Sequence, residues 1–274
     1  MAPEVNRMND AVRTDALGRA WRPKGARRAG VVLALAAILL VSASAARANR
    51  ADLAAFLERT ERMSEFTSAA RADIVLRTPD GKADQAVLIV DPTGKRQLLA
   101  LRSSGWRALM PLDWQSGTVA KGSGAKPEPF TADEPLAGTD LRAMEFFAFW
   151  KGDYATAFVS DNNRTEKVIT LYASKQIPYI LFVIAFDKAT LVPLVSKYYR
   201  DAMSNLVRVR KDSDHVMVGS RPRPRKVEIT DYTENRTTRF DLQWRNLTEV
   251  PRELMDPGTF SGATIDWPEP PAAE

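Results

Sequence analysis

The sequence predicts a mainly β chain of about eleven antiparallel strands with a few short helices, and three observations carry that reading. Apolar residues recur at every second position in one run after another between Ala72 and Trp244. The runs are joined by tight turns such as Pro79-Asp80-Gly81, Asp91-Pro92-Thr93-Gly94 and Thr233-Glu234-Asn235, too short for the crossovers that parallel strands need. Two segments switch to a helical period, and both are strongly apolar. A barrel, a half-barrel and a sandwich all accommodate such strands. Helices with apolar faces must be covered, and a strongly curved sheet with an open concave side offers them a place.

The chain begins with a leader. From Ala29 to Val41 no charge interrupts AGVVLALAAILLV, with Arg22, Lys24, Arg27 and Arg28 before it and Ala46-Arg47-Ala48 after it. A basic stretch, an apolar stretch and an A-x-A ending describe a signal peptide, and the apolar run falls short of the roughly 20 residues of a spanning helix. Residues 1–48 are therefore expected to be removed after Ala48, placing Asn49 onward in the periplasm, while retention of the apolar run would leave a signal anchor. Of 39 basic and 34 acidic residues, eight and three precede Asn49, which leaves 31 of each in the body. A body of zero net charge lacks the electrostatic attraction that dominates nucleic-acid binding. With no cysteine, disulfides, thiolate chemistry and a lipidated N-terminal cysteine are excluded.

In the body, Leu53, Phe56, Leu57, Thr60 and Met63 form one stripe of a helix capped by Asn49 or Asp52. Strands follow at Ala72–Leu76, Ala83–Val90, Arg96–Leu101 and Trp106–Leu112, and then Gln115–Ala137, with three glycines and three prolines, reads as a long loop. Thr139 caps a short helix from Asp140 to Phe149 with almost no polar face. Further strands are expected at Tyr154–Ser160, Lys167–Ala173, Tyr179–Asp187, Leu191–Arg200, Leu206–Lys211, Arg225–Tyr232 and Arg236–Trp244. The segment Tyr179–Phe186 is apolar on both faces, so both its sides are covered. Residues 263–274, rich in proline, read as a disordered tail.

Catalytic patterns are absent. The single histidine, His215, sits in a polar stretch that reads as a turn, and no G-x-S-x-G elbow, H-E-x-x-H, EF-hand loop or P-loop spacing occurs. No metal, no cofactor and no enzymatic activity are expected; a hydrolase with an unrecognised site would have to use His215. Arg221-Pro222-Arg223-Pro224-Arg225-Lys226 reads as a solvated, proline-stiffened linker or a contact for an anionic partner.

Ordered along the chain, several pieces resemble the outer-membrane lipoprotein-sorting (LolA-like) family. They are the helix Asn49–Met63 leading into Ala72-Asp73-Ile74-Val75-Leu76, then Leu136-Ala137-Gly138-Thr139-Asp140-Leu141, Pro178-Tyr179-Ile180, Val192-Pro193-Leu194, Lys226–Asp231, and Val250-Pro251 before Phe260. The resemblance covers most of 49–262. It implies an incomplete antiparallel β-barrel with a helical lid, whose apolar hollow shields the acyl chains of a lipoprotein or lipid crossing the periplasm. An inner-membrane transporter and an outer-membrane acceptor would be its partners. It also sets Glu145 in the place of an acidic residue often found after the Gly-Thr-Asp element. On that reading Phe146, Phe149 and Trp150 form the lid, and strand parity makes Ile74, Leu76, Leu99, Leu101, Phe158, Phe182, Phe240, Leu242 and Trp244 the wall. The alternative is a membrane-anchored periplasmic accessory or interaction domain of a lipid exporter.

Overall fold

The computed structural model describes residues 50–112, 116–131, 133–147, 154–174 and 178–269. The expected leader and the expected cleavage after Ala48 lie outside them. Helix α1 spans 50–64. The strands are β1 (Ala70–Arg77), β2 (Ala83–Asp91), β3 (Arg96–Leu101), β4 (Trp106–Pro111), β5 (Ser116–Lys121) and β6 (Glu128–Thr131), followed by helix α2 (Ala143–Phe147). Then come β7 (Tyr154–Asn162), β8 (Glu166–Ala173), β9 (Leu181–Asp187), β10 (Pro193–Tyr199), β11 (Leu206–Val218), β12 (Arg221–Asp231), β13 (Arg236–Asn246) and α3 (Arg252–Met255).

All thirteen strands join one antiparallel sheet in the order β6-β5-β4-β3-β2-β1-β13-β12-β11-β10-β9-β8-β7. Neighbours in the chain are neighbours in the sheet except at one place, where β1 pairs with β13 and joins the two halves. The edges β6 and β7 are not paired to each other, so the barrel is open. At about 4.8 Å per strand a flat sheet of this order would be roughly 60 Å wide. Yet Phe130 of β6 and Ile169 of β8 belong to one buried cluster with the helices, which requires the sheet to curl.

The strand count exceeds the expected eleven because β5 and β6 lie in the segment read as a loop. Glycine and proline hide them, and only Val119, Ala120 and Phe130 of the two strands are buried. The segment Arg221–Lys226 is likewise strand, not linker. Pro222 and Pro224 pair with Met217 and His215 of β11, whereas pairing to β13 begins only at Lys226. At that free flank of β12 a missing N–H costs no ladder bond. His215 consequently lies within β11 and not in a turn.

The two faces of the sheet are covered differently. The inner face holds the large cluster, with Leu53, Phe56 and Leu57 of α1 and Met144 and Phe146 of α2 packed on it. Phe56 meets Phe186 edge-on at 5.7 Å. The outer face of β2 to β5 is covered by α3 and the chain after it, through Leu254, Met255, Phe260, Ala263 and Ile265. Residues 263–269 are therefore not the loose tail expected from their prolines. Backbone carbonyls between 260 and 268 are held by side chains of the sheet: Arg107 donates to Phe260 O at 2.7 Å and Ala263 O at 2.6 Å, Gln85 to Pro268 O at 3.0 Å, and Arg71 to Asp266 O. Arg107 is buried among these groups, and burial pulls its guanidinium below its usual range. Arg107→Met keeps the apolar stem but deletes two charge-assisted bonds. It is expected to cost about 1–3 kcal/mol and to speed proteolytic cleavage within 251–269 by about tenfold, measured by limited proteolysis.

At the β3–β4 turn Gly105 has φ +64, and a Cβ there would stand 2.7 Å from the Ser123 nitrogen. Only glycine satisfies both constraints.

Candidate functional site

The inner wall is built from alternate residues of the strands, because successive side chains point to opposite faces. Ile74 and Leu76 on β1, Leu99 and Leu101 on β3, Phe182 on β9, and Phe240 and Leu242 on β13 are all buried in the inner cluster, with Trp244 packed half-buried against it. Phe146 of α2 lies on Phe240 with ring centroids 4.9 Å apart. Phe149 and Trp150 fall outside the described residues. Phe158 is a correction: it is 41% exposed and meets Tyr172 on the outer face. Simple alternation from Tyr154 places Phe158 inward, but the register of β7 shifts between Tyr154 and Thr156. That bulge turns Ala157 inward instead.

Helices α1 and α2 cover the inner face, and a polar clamp holds each helix at its C-terminal end. Arg223 of β12 donates to Met63 O at 3.1 Å, Ser64 O at 3.0 Å and Glu65 O at 2.6 Å, and stands 4.0 Å over the Phe66 ring. These are the carbonyls that a helix end leaves without partners. Burial, with Arg221 beside it, pulls the Arg223 guanidinium down to about 10. Arg210 of β11 does the same for α2, donating to Glu145 O at 3.1 Å and to Phe146 O. Its other nitrogens grip Asp212, at 2.7 and 3.0 Å. Burial opposes the Arg210 charge, yet Asp212 outweighs it and raises the guanidinium above its usual value.

Beside this clamp, Glu145 of α2 is fully buried. Its carboxylate accepts from Tyr179 Oη, from the Arg142 amide at 3.0 Å and from Arg208 Nε at 3.4 Å. Arg208 also pairs with Asp231 and, at 3.4 Å, with Asp140. Burial pushes Glu145 up, Arg208 and Tyr179 pull it back, and the net is a raised carboxyl. The Tyr179 hydroxyl is driven up by burial and by the adjacent carboxylate. One cation thus ties the loop before α2, α2 itself and the end of β12 together. Sequence reading named Glu145, took Arg223 as part of a solvated linker or an anionic-partner contact, and missed Arg208 and Arg210. For the two on β11 the available signal was parity: 208, 210 and 212 share a face with no apolar residue between them on that face.

Two polar clefts meet at Asp140. The larger, about 850 Å³, lies between the β1–β2 turn, the loop at Gly138 to Asp140 and the β12–β13 turn. The smaller, about 200 Å³, is lined by Arg142, Tyr179, Arg200, Arg208 and Asp231 among others. Among the described residues no group of His, Cys, Asp and Glu side chains is arranged to hold a metal, and no helix is long and apolar enough to cross a membrane.

No family model matches the sequence, and no curated protein sequence matches it. Solved structures do. A domain described as outer membrane lipoprotein-sorting, from Vibrio parahaemolyticus, superposes with TM-score 0.65 at 11% identity, covering 75% of this chain and 97% of that one. A LolA superfamily protein from Nitrosomonas europaea gives TM-score 0.57 at 15% identity over 74% and 96% of the two chains. A DUF1329 family protein from Desulfovibrio piger gives 0.60 at 14% over 74% and 96%. Identities this low speak for the fold, and the open thirteen-stranded sheet with helices on its inner face agrees: the fold of this chain is that of the LolA-like lipoprotein-sorting proteins.

Proposed function

We propose that the chain is a non-enzymatic periplasmic carrier that shields the acyl chains of a lipoprotein or lipid in its inner hollow and moves them toward the outer membrane. One observation carries the reading: the apolar wall runs across nearly the whole sheet, and its cover is two helices held at their ends by polar clamps. Short helices fastened mainly at their ends make a cover that can open as a unit once the clamps let go, as a lid over acyl chains must. Burying a methylene is worth about 0.8 kcal/mol, so a 16-carbon chain gains at most roughly 13 kcal/mol. The cost of opening the lid lowers the net affinity to a level that permits handover.

Native mass spectrometry of the exported protein from its own cells tests the reading. A mass starting at Asn49 with a lipid-sized adduct supports the carrier and identifies its cargo. In parallel, the purified protein is expected to take up a fluorescent fatty acid at about one per chain. Failure of both the adduct and the uptake would discard the carrier and favour the anchored interaction domain.

A further inference from the structure

The rim beside Asp140 carries cations that no carboxylate among the described residues balances. Arg142, Arg200 and Arg236 line the two clefts, and among the described residues none of them pairs with a carboxylate. Among the described residues the Arg142 guanidinium donates to the Asp133 carbonyl and to no carboxylate, while its amide donates to Glu145. Arg236 stands at the start of β13 in the inward register of Thr238 and Phe240. Thr238, 1% exposed, has a hydroxyl with no hydrogen-bond partner among the described residues. A buried unpaired hydroxyl is costly, and this one lies between a free guanidinium at the rim and the ring on which the lid rests. Arg236, Thr238 and Phe240 thus form a graded track along one strand from charged through polar to apolar. The smaller cleft has room for several waters, hence for a phosphate group.

We propose that the smaller cleft is a headgroup site, where Arg142 and Arg200 bind the phosphate of an anionic amphiphile, while Arg236 of the adjoining cleft draws the same charge and the amphiphile's chain enters past Thr238 and Phe240. The inference rests on the carrier reading and narrows its cargo to phosphate-headed lipids. Arginine suits the task because its planar donors match phosphate oxygens in pairs. The site is also coupled to the lid. Arg208 lines the same cleft, and a phosphate drawing on it competes with Asp140 and Glu145, the carboxylates that tie down α2 and the loop before it.

Dodecyl phosphate and dodecanol differ only in the head, so their affinities for the full chain, measured by displacement of a fluorescent fatty acid, separate the two ideas. The phosphate is expected to bind about tenfold more tightly. The triple variant Arg142→Gln, Arg200→Gln, Arg236→Gln is expected to erase that difference while leaving dodecanol unchanged. Equal binding of both ligands by the wild-type protein would overturn the headgroup site and leave the carrier standing. Binding of neither would remove the carrier reading and this site with it. Inorganic phosphate binding as tightly as dodecyl phosphate, with the same dependence on the three arginines, would assign the site to free phosphate and overturn the lipid assignment.

Discussion

Arg210→Leu is expected to destabilise the protein by about 3–5 kcal/mol and at the same time to make the hollow accessible. The stability loss follows from what the substitution leaves behind. Asp212, with 6% of its side chain exposed, keeps its charge without a partner, and breaking a buried pair from one side costs about that much. The carbonyls of Glu145 and Phe146 lose their donor at the same step. With an m value of about 2 kcal/mol per molar urea, the midpoint should fall by roughly 2 M. The double variant Arg210→Leu, Asp212→Leu separates the two consequences. Replacing both members of a buried pair with apolar groups is often neutral, so stability should recover to within the about 1–3 kcal/mol that the two unpaired carbonyls still cost. The carbonyls at the end of α2 stay unclamped, so uptake of an apolar fluorophore should remain above wild type. A double variant that is stable and takes up no more dye than wild type would show that Arg210 does not hold the lid shut.

The difference between what the sequence reveals and what it hides can be traced residue by residue. The walls were legible because burial of one face forces a period of two, and Ile74, Leu76, Leu99, Leu101, Phe240 and Leu242 obey it. Phe158 shows where the rule stops, since one extra residue in β7 inverts the parity after it and composition carries no mark of the bulge. The clamps were hidden for a different reason. A charged residue on a strand ordinarily marks the wet face, and Arg208, Arg210 and Arg223 face inward only because helix ends, distant in sequence, bring bare carbonyls to them. Arg223 and Met63 are 160 positions apart. Local pattern fixes the strands, whereas the meeting of a guanidinium with a helix end belongs to the closed sheet as a whole. Glu145 lies between these cases, because its presence was readable but its burial beneath Arg208 and Tyr179 was not.

Arg208→Met should produce the second large effect, and one that depends on pH. At neutral pH it leaves Glu145 fully buried and Asp231 nearly so, both deprived of their cation, at a cost of about 3–5 kcal/mol. Glu145 already has its folded pKa raised by burial, and Arg208 is the strongest influence pulling it down. Without Arg208 it rises further. A carboxyl raised in the folded state contributes stability that is fully present below its unfolded pKa and lost as pH rises through the folded one. Asp231 has the opposite shift in the wild type, because the Thr233 hydroxyl and amide and the Arg208 charge outweigh its burial. The share of its stability that comes from Arg208 is lost as pH falls, so that advantage of the wild type over the variant fades in acid as well. Glu145 therefore predicts that the gap between wild type and variant narrows as pH is lowered from about 8 to about 5, and the Asp231 share adds to the narrowing only below its ordinary value. Urea melts across that range measure it directly. Adding Glu145→Gln to the variant retains an acceptor for Tyr179, removes the charge, and should restore part of the stability at the alkaline end while flattening the profile. A gap that stays constant with pH, and that Glu145→Gln does not reduce, would mean that the Glu145 charge is not what Arg208 balances in the closed lid.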